Sequence, residues 1–161
     1  TGSGCIALSL AFERPDAEIH ATDVSGPALR VALQNAQALG LDGRVTFHEG
    51  QILEPVGGLE VQLVVSNPPY VDPAERDALA PEVRDHEPHL ALFPPGDALA
   101  VYRRLVPAAA RALRPGGALA VEVSPALLEG VRALFRDAGF PEPTVHEDLA
   151  GRPRVVRARL G

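Results

Sequence analysis

Apolar and polar positions along the chain repeat with two periods, one typical of strands and the other of helices. Apolar runs bounded by turn residues predict strands at residues 17–23, 44–50, 60–66 and 118–123. Helical patterns lie between them, at residues 4–13, 25–39, 97–113 and 125–138. This alternation predicts an α/β fold with an open, doubly wound, mostly parallel sheet that carries helices on both faces.

Two segments depart from this alternation. Strand patterns at 143–149 and 154–160 are joined by a short turn from Gly151 to Pro153, which predicts an antiparallel C-terminal hairpin. Residues 71–96 are rich in proline and show no period, so we expect a long irregular segment there. Segments of this kind are often functional, because loops carry many binding and catalytic residues.

The composition is that of an ordinary globular domain, because 46% of the 161 residues are apolar and 22% are charged. No apolar stretch reaches membrane-spanning length, and no signal-peptide pattern is visible. Cys5 is the only cysteine, which excludes an internal disulfide and fits a reducing cytoplasm. We therefore expect a cytoplasmic protein, with Cys5 as a small core residue of an apolar helix.

Charge and histidine spacing argue against two kinds of binding. The formal net charge of −6 lowers the expectation of nucleic-acid binding, because phosphate contacts need a basic face. No zinc-type spacing links the histidines to the cysteine, so we expect no metal. We expect Arg152 and Arg154 to fix the hairpin or to pair with acids. The histidines are His20, His48, His86, His89 and His146.

A glycine-rich turn precedes the first helix. In Thr1-Gly2-Ser3-Gly4 the glycines let the backbone approach a ligand, and the helix that follows offers free N–H groups. Asp23 ends the next strand, where an acid binds ribose hydroxyls in doubly wound folds. A plain tight turn and a cap for the helix that begins near Ser25 are the alternatives. Together, the turn and Asp23 predict a cofactor that contains a nucleoside.

The strand at 60–66 ends on Asn67-Pro68-Pro69-Tyr70, at the strand end where ligands bind in such sheets. Pro68 lacks an N–H group, and Pro69 forces it into an extended conformation. Two fixed acceptors result, the Asn67 side-chain oxygen and the Pro68 carbonyl, and they suit an –NH2 group. Tyr70 offers a flat face for a planar amide or base. The alternative is a kinked strand end with a structural asparagine and a packing tyrosine.

Several segments together resemble a known family. They are Thr1–Gly4, ATDVS at 21–25, VSNPPYV at 65–71, HEPHLALFPPGDAL at 86–99 and DLAGRPRVV at 148–156. Over its whole length the chain resembles the class I S-adenosylmethionine-dependent methyltransferases with an Asn-Pro-Pro-Tyr motif. Within these it is most similar to the HemK/PrmC protein-glutamine methyltransferases. The closing segment separates that family from the nucleic-acid methyltransferases, which seldom carry it.

The resemblance implies one methyltransferase catalytic domain over residues 1–161, without the family's first strand and its N-terminal substrate-docking domain. It implies methyl transfer from S-adenosylmethionine to the side-chain amide nitrogen of the glutamine in the GGQ motif of peptide chain release factors, with S-adenosylhomocysteine as product. Asn67 and Pro68 then hold the amide, beside Pro69 and Tyr70. We expect a monomer with a release factor as its partner. The implied cofactor-binding residues are Thr1, Gly2, Ser3, Gly4, Asp23, Val24, Gln51, Ile52 and Asn67.

Other functions are compatible with parts of the sequence. The same two acceptors would suit an exocyclic amine of adenine or guanine in RNA or DNA. A dinucleotide dehydrogenase would explain the glycine turn and Asp23 but not the Asn-Pro-Pro-Tyr segment. A remnant without enzymatic activity is a third possibility. Gln51 and Ile52 replace an aspartate and an aromatic residue that are common in the family, so we expect altered contacts to the adenine.

Overall fold

The structure, a computed structural model, describes residues 1–161 apart from the side chain of residue 78. The chain divides into two compact units, Thr1–Leu59 and Glu60–Gly161. Each unit combines helices with a parallel strand pair, as the sequence pattern predicts. Within the described residues, none of the helices has the length and apolar character needed to cross a membrane.

The first unit packs helices against parallel strands. In chain order it contains α1 (Cys5–Glu13), β1 (Ile19–Asp23), α2 (Gly26–Ala38), β2 (Val45–Glu49) and a short 3₁₀ helix (Glu54–Val56). The strands β1 and β2 run parallel, from Ile19 opposite Val45 to Asp23 opposite Glu49. The apolar core of this unit consists of Leu8, Ala11, Ala21, Ala36 and Val45.

Local sequence signals set both ends of α2. Ser25 is the N-cap, and its hydroxyl accepts a hydrogen bond from a first-turn N–H at 3.2 Å. Pro27 follows in the first turn, where a missing N–H breaks no helical hydrogen bond. At the other end Gly40 takes a φ of 66°, and the Leu41 N–H donates to the Ala36 carbonyl at 2.8 Å. The predicted helix and both of its end signals are confirmed.

The second unit is built on a mixed sheet. Its elements are β3 (Val61–Ser66), α3 (Pro81–Arg84), α4 (His89–Leu92), α5 (Ala100–Ala112), β4 (Leu113–Glu122), α6 (Leu128–Asp137), β5 (Thr144–Glu147) and β6 (Pro153–Arg159). The strand order is β3-β4-β6-β5. The pair β3 and β4 is parallel, whereas β6 runs antiparallel to both β4 and β5. The predicted antiparallel C-terminal hairpin is therefore confirmed.

The core of the second unit fixes the position of β4. Buried residues recur at helical spacing on α5 and α6, which gives each helix one apolar face. These helices pack against the sheet strands β4 and β6. The largest fully buried side chains are Tyr102, Phe135, Leu119, Val106, Val121, Val123, Val131 and Val156. The carboxyl end of β4 is thus held by close packing.

The start of β4 differs from the sequence prediction. The strand begins at Leu113 rather than at residue 118, because Leu113 already pairs with Val61 of β3. The register then shifts between Val61 and Leu63, at the level of Gly116 and Gly117. The Gly116 N–H donates to the Leu160 carbonyl at 2.9 Å. These backbone contacts extend the strand through a segment that looks like a turn in sequence.

The segment 71–96 is more regular than its sequence predicts. A 3₁₀ helix (Pro73–Ala78) precedes α3 and α4, so the expectation of a wholly irregular segment was wrong. Pro73 and Pro81 stand in the first turns of their helices, and Pro88 is the N-cap of α4. Proline suits the start of a helix because its φ is already fixed near the helical value. Three of the five prolines in this segment therefore begin short helices.

The helix α1 buries one face and leaves the other open. Leu8 and Ala11 are buried, whereas Phe12 is 74% exposed. Cys5 is also exposed, so the prediction of a core cysteine was wrong. Cys5 is the first residue of a nine-residue helix, and the helix packs through positions three residues apart further along. An apolar sequence on all sides did not indicate which face would be covered.

Candidate active site

The glycine turn folds back onto Asp23 within the first unit. The Gly2 N–H donates to Asp23 Oδ2 at 2.8 Å, and the Thr1 amino group donates to the same oxygen at 3.0 Å. The Gly4 N–H closes the turn on the Thr1 carbonyl at 3.0 Å. The turn and the carboxylate, which the sequence places at the ends of separate elements, are therefore brought together.

Asp23 is held as an anion. Its second oxygen, Oδ1, accepts a hydrogen bond from the Ser25 N–H at 2.8 Å, which also supports the start of α2. Burial raises the pKa of the Asp23 carboxyl, but hydrogen bonds from Gly2, Ser25 and the chain's amino group outweigh it and lower the net pKa. Among the described residues, Oδ1 accepts only the bond from Ser25 and keeps a further lone pair for a ligand hydroxyl. The neighbouring Val24 is exposed.

Gly4 has a backbone conformation that favours glycine, with a φ of 87°. A Cβ at this position would lie 3.1 Å from Ala32 Cβ and 3.2 Å from Leu8 Cδ1. Gly4 therefore lets the turn pack closely against α2. A Cβ at Gly2 would meet none of the described residues within 4 Å, which leaves open space beside the turn.

Asn35 in α2 is a contact of the turn that the sequence reasoning missed. Its side-chain Nδ2 donates to the Ser3 carbonyl at 2.9 Å. This bond fixes the backbone of the turn independently of Asp23. The rarity of asparagine could have drawn attention to this residue, because Asn35 and Asn67 are the only asparagines in the chain.

The segment after β2 lies against the end of β1. The Gly50 N–H donates to the Asp23 carbonyl at 2.9 Å, and the Thr22 hydroxyl donates to the Ile52 carbonyl at 2.5 Å. Ile52 has a φ of 54°, which is rare for a β-branched residue and marks local strain. Gln51 is exposed and Ile52 is half-buried. The structure thus places the segment that carries Gln51 and Ile52 beside the end of β1, where Asp23 lies.

In the second unit Asn67 follows β3 directly, and its side chain is exposed. Pro68 is buried and Pro69 is half-buried, so the backbone beside Asn67 is anchored. Within the described part of this unit, no side chain or backbone group hydrogen-bonds the Asn67 amide. An exposed amide on an anchored backbone remains available to a ligand.

Tyr70 is tied to the neighbouring strand. Its hydroxyl donates to Glu122 Oε1 at 2.8 Å. Since β3 and β4 are parallel, their carboxyl ends meet at one edge of the sheet, which brings Glu122 close to Tyr70. Burial, together with the nearby Glu122 carboxylate, raises the pKa of the Tyr70 hydroxyl. Sequence reasoning missed Glu122, although an acid at the end of a core strand was a usable signal.

The segment that follows Tyr70 folds back and contacts Val71, the residue next to Tyr70. The Val71 N–H donates to the Leu92 carbonyl at 3.0 Å, which closes the segment on its own start. Phe93 is buried, and the His89 ring lies 4.6 Å from the Phe93 ring, measured between centroids. The stretch 86–99, which resembles a family segment, is therefore anchored beside the Asn-Pro-Pro-Tyr residues.

The hairpin arginines pair with Asp148, as the sequence predicts. Arg152 Nε and an Arg154 guanidinium nitrogen donate to Asp148 Oδ2 at 3.0 and 3.3 Å. The Arg152 and Ala150 N–H groups donate to Asp148 Oδ1 at 3.1 and 2.9 Å. These backbone and side-chain bonds, that from the Arg152 N–H foremost, lower the pKa of Asp148 to about 2. The turn of the hairpin is thus built around one carboxylate.

Two of the histidines hydrogen-bond each other across β1 and β2. His20 Nδ1 lies 3.0 Å from His48 Nε2, and His20 Nε2 lies 3.1 Å from Glu18 Oε1. Among the described residues, no three or more His, Cys, Asp or Glu side chains converge as metal ligands would.

Comparison with known family models identifies the family of the chain. A family model for the methyltransferase small domain matches residues 1–87, which is more than half of the chain. The chain belongs to the methyltransferase small domain family. The match includes the glycine turn, Asp23 and the Asn-Pro-Pro-Tyr residues, so both candidate regions lie within it.

Curated bacterial relatives align with nearly the whole chain. A release factor glutamine methyltransferase from Cereibacter sphaeroides is 48% identical over 99% of this chain and 57% of its own length. A protein of the same name from Geobacter sulfurreducens is 43% identical over 99% of this chain and 56% of its own length. This chain therefore spans about half the length of the curated relatives it matches.

Solved structures confirm the methyltransferase fold. TrmN from Thermus thermophilus matches with a TM-score of 0.66 and 25% identity, over 100% of this chain and 42% of that one. A methyltransferase from Pyrococcus furiosus matches with a TM-score of 0.71 and 16% identity, over 100% of this chain and 72% of that one. The predicted α/β methyltransferase architecture is thus confirmed.

Proposed function

We propose that this chain is the catalytic part of an S-adenosylmethionine-dependent methyltransferase that modifies a glutamine side chain in peptide chain release factors. The observation that carries the proposal is the name shared by relatives 48% and 43% identical over 99% of the chain. The exposed Asn67 on its proline-anchored backbone supplies the chemistry that such a substrate needs.

The residues of the first unit fit S-adenosylmethionine. Open space beside Gly2 and an α1 N-terminus without a side-chain cap suit a ligand that approaches the backbone. The ionised Asp23 suits the two ribose hydroxyls, since it retains acceptor capacity. In this proposal the cofactor lies across Thr1–Gly4, and its adenine lies near Val24, Gln51 and Ile52. When bound, it supplies a methyl group attached to a positively charged sulfur.

Asn67 and Pro68 orient the acceptor amide in this proposal. An amide nitrogen is a weak nucleophile, because its lone pair is delocalised into the carbonyl, so alignment is the main catalytic device. The Asn67 side-chain oxygen and the Pro68 carbonyl each accept one N–H of the substrate –NH2 group. Pro68 offers no N–H of its own, so the substrate amide meets an acceptor without a competing donor.

Tyr70 and the proton complete the scheme. The Tyr70 ring offers a flat face to the planar amide, and its hydroxyl is already engaged by Glu122. The nitrogen gains a methyl group while it still holds both protons, and one proton then passes to solvent. The departing thioether is neutral, so the scheme requires neither a metal nor a dedicated general base.

A peptide chain release factor is the proposed partner, and its GGQ glutamine is the proposed acceptor. A cytoplasmic monomer that does not bind nucleic acid is the accompanying prediction. The net charge of −6 supports the absence of nucleic-acid binding, because RNA and DNA methyltransferases need basic surface near the substrate backbone.

The test is a methyl-transfer assay with the complete gene product and tritiated S-adenosylmethionine. A release factor, the same factor with its GGQ glutamine replaced by alanine, ribosomal RNA and duplex DNA are offered in parallel. We expect label in the unaltered release factor alone. Label in RNA or DNA, with none in the release factor, would contradict the proposed substrate and support an exocyclic amine as acceptor.

A further inference from the structure

The hydrogen bond between Tyr70 and Glu122 links the Asn-Pro-Pro-Tyr residues to a second strand. Tyr70 is half-buried, and its hydroxyl lies 2.8 Å from Glu122 Oε1. A half-buried tyrosine hydroxyl needs a hydrogen-bond partner, and here that partner is a carboxylate at the end of the adjacent strand. The contact fixes the outer end of the ring, while Pro69 restricts the backbone at its base.

The backbone that carries Glu122 is itself held from two directions. The Tyr102 hydroxyl donates to the Glu122 main-chain carbonyl at 2.6 Å, and Tyr102 is fully buried. The next residue, Val123, donates its N–H to the Arg154 carbonyl at 2.9 Å. Glu122 also pairs with Val155 in the β4 and β6 ladder. The Glu122 side chain is therefore attached to a rigid strand backbone rather than to a loop.

Arg154 connects this contact to the hairpin. Its guanidinium interacts electrostatically with both Tyr70 and Glu122, while it also pairs with Asp148 at 3.3 Å. Asp148 in turn organises the hairpin turn through the backbone bonds described above. Hydrogen bonds thus join the hairpin turn to Arg154 through Asp148, and the Arg154 carbonyl to Val123, the residue next to Glu122.

We propose that Glu122 is a positioning residue that holds the Tyr70 ring in the orientation needed to receive the acceptor amide, with Arg154 and Asp148 as its support. This inference rests on the function proposed above and adds the C-terminal hairpin to the acceptor side of the enzyme. Glu122 touches no reacting atom in this scheme. Its loss should therefore impair use of the acceptor, while cofactor affinity stays unchanged.

The first test is spectroscopic and does not depend on activity. In protein labelled with 13Cζ-tyrosine, the variants Tyr70→Phe and Tyr102→Phe assign the signals of the two tyrosines of this chain. In Glu122→Gln and Glu122→Ala we expect the Tyr70 signal to shift. The Tyr102 signal should shift less, because that hydroxyl is hydrogen-bonded to the Glu122 backbone rather than to its side chain. An unmoved Tyr70 signal would overturn the inference.

The second test is kinetic and uses the complete gene product with a release factor as acceptor. We expect Glu122→Ala to lower kcat/KM for the release factor by about tenfold, the effect of losing one charged hydrogen bond. The affinity for S-adenosylmethionine should stay within about twofold of the wild-type value, a change much smaller than the tenfold that corresponds to 1.4 kcal/mol. Glu122→Gln retains an acceptor oxygen and should recover part of the loss. Glu147→Ala, at an exposed glutamate that ends β5, is the matched control and should act like the wild type.

A double variant separates positioning from general destabilisation. Tyr70→Phe removes the same hydrogen bond from the other side, so Tyr70→Phe with Glu122→Gln should be no slower than the slower single variant. Independent, multiplying losses would overturn the inference. So would a Glu122→Ala variant as active as Glu147→Ala. A wild-type enzyme that leaves the release factor unlabelled would instead refute the proposed function, on which the inference rests.

Discussion

The two candidate regions differ in how far the protein already uses their polar groups. In the first unit both oxygens of Asp23 accept backbone hydrogen bonds, and the Ser3 carbonyl is held by Asn35. In the second unit the Asn67 amide is exposed, and within the described residues of that unit it has no hydrogen-bond partner. In the first region the protein's own hydrogen bonds already involve the polar groups. In the second region the exposed Asn67 amide is held on a fixed backbone and remains available to a ligand.

This difference teaches where a substitution should act. Removing a group that the fold already uses breaks hydrogen bonds within the protein, so it should lower both stability and ligand affinity. Removing an exposed group that the fold does not use should leave the structure intact and affect the ligand alone.

Asn67→Ala should lower single-turnover methylation of a release factor by roughly 30- to 1,000-fold, equivalent to about 2 to 4 kcal/mol of transition-state stabilisation. The reason is that the substrate –NH2 group loses one of its two acceptors and rotates out of line. The free energy of unfolding and the cofactor affinity should stay near the wild-type values, because the amide is exposed. Quenched-flow methyl transfer and isothermal titration measure the two quantities separately.

Asn67→Asp sharpens the same test. It keeps an acceptor oxygen in place but adds a charge, so activity should lie between those of the wild type and Asn67→Ala. Equal turnover in the wild type and Asn67→Ala would mean that the segment is only a kinked strand end, and the exposed Asn67 amide would have no catalytic role.

Asp23→Ala should affect structure and ligand together. We expect cofactor affinity to fall by roughly 30- to 150-fold, or about 2 to 3 kcal/mol, because a charged acceptor is lost. Stability should also fall, because the Gly2 and Ser25 N–H groups lose their acceptor. Titration calorimetry and urea denaturation measure the two effects. A variant with weakened cofactor binding but wild-type stability would contradict the inference that Asp23 also stabilises the fold.

Gly4→Ala should destabilise the first unit by about 1 to 3 kcal/mol, because alanine is strained at a positive φ. The new Cβ would also press on Ala32, which lies 3.1 Å away. Gly2→Ala is the matched control, since Gly2 has a φ of 59° but open space around its position. We expect Gly2→Ala to cost less, about 1 kcal/mol. Equal losses in urea denaturation would show that packing against α2 contributes nothing.

Acid should loosen the hairpin that supports the second region. The pKa of Asp148 is lowered from 3.8 to about 2, so the folded protein binds this proton less tightly than the unfolded chain does. The stabilising contribution is therefore complete above about pH 4 and is lost as the pH falls from 3.8 towards 2. Asp148→Asn should remove this part of the pH dependence. Denaturation measured at steps across that range, in both proteins, gives the comparison.

Local features were the most predictable from sequence. Ser25, Pro27 and Gly40 set the ends of α2 through contacts within a few residues, and the structure confirms each of them. The alternation of apolar runs also predicted the parallel pairs and the closing hairpin. Predictions failed where partners distant in sequence decided the outcome. Cys5 is exposed because it lies outside the face that α1 buries. The strand β4 starts early because Leu113 pairs with β3.

Residue types alone specified which chemical groups are available, namely a glycine turn, an acid at a strand end and an amide followed by two prolines. Tertiary structure alone decided how each group is supported. Asn35 reaches the Ser3 carbonyl and Glu122 reaches the Tyr70 hydroxyl across separations of 32 and 52 residues. Such pairs leave no periodic trace in the sequence, because they depend on helix packing and on parallel strands whose ends meet at one edge of a sheet. Residue type therefore predicted what could bind, and the fold fixed which groups remain free to do so.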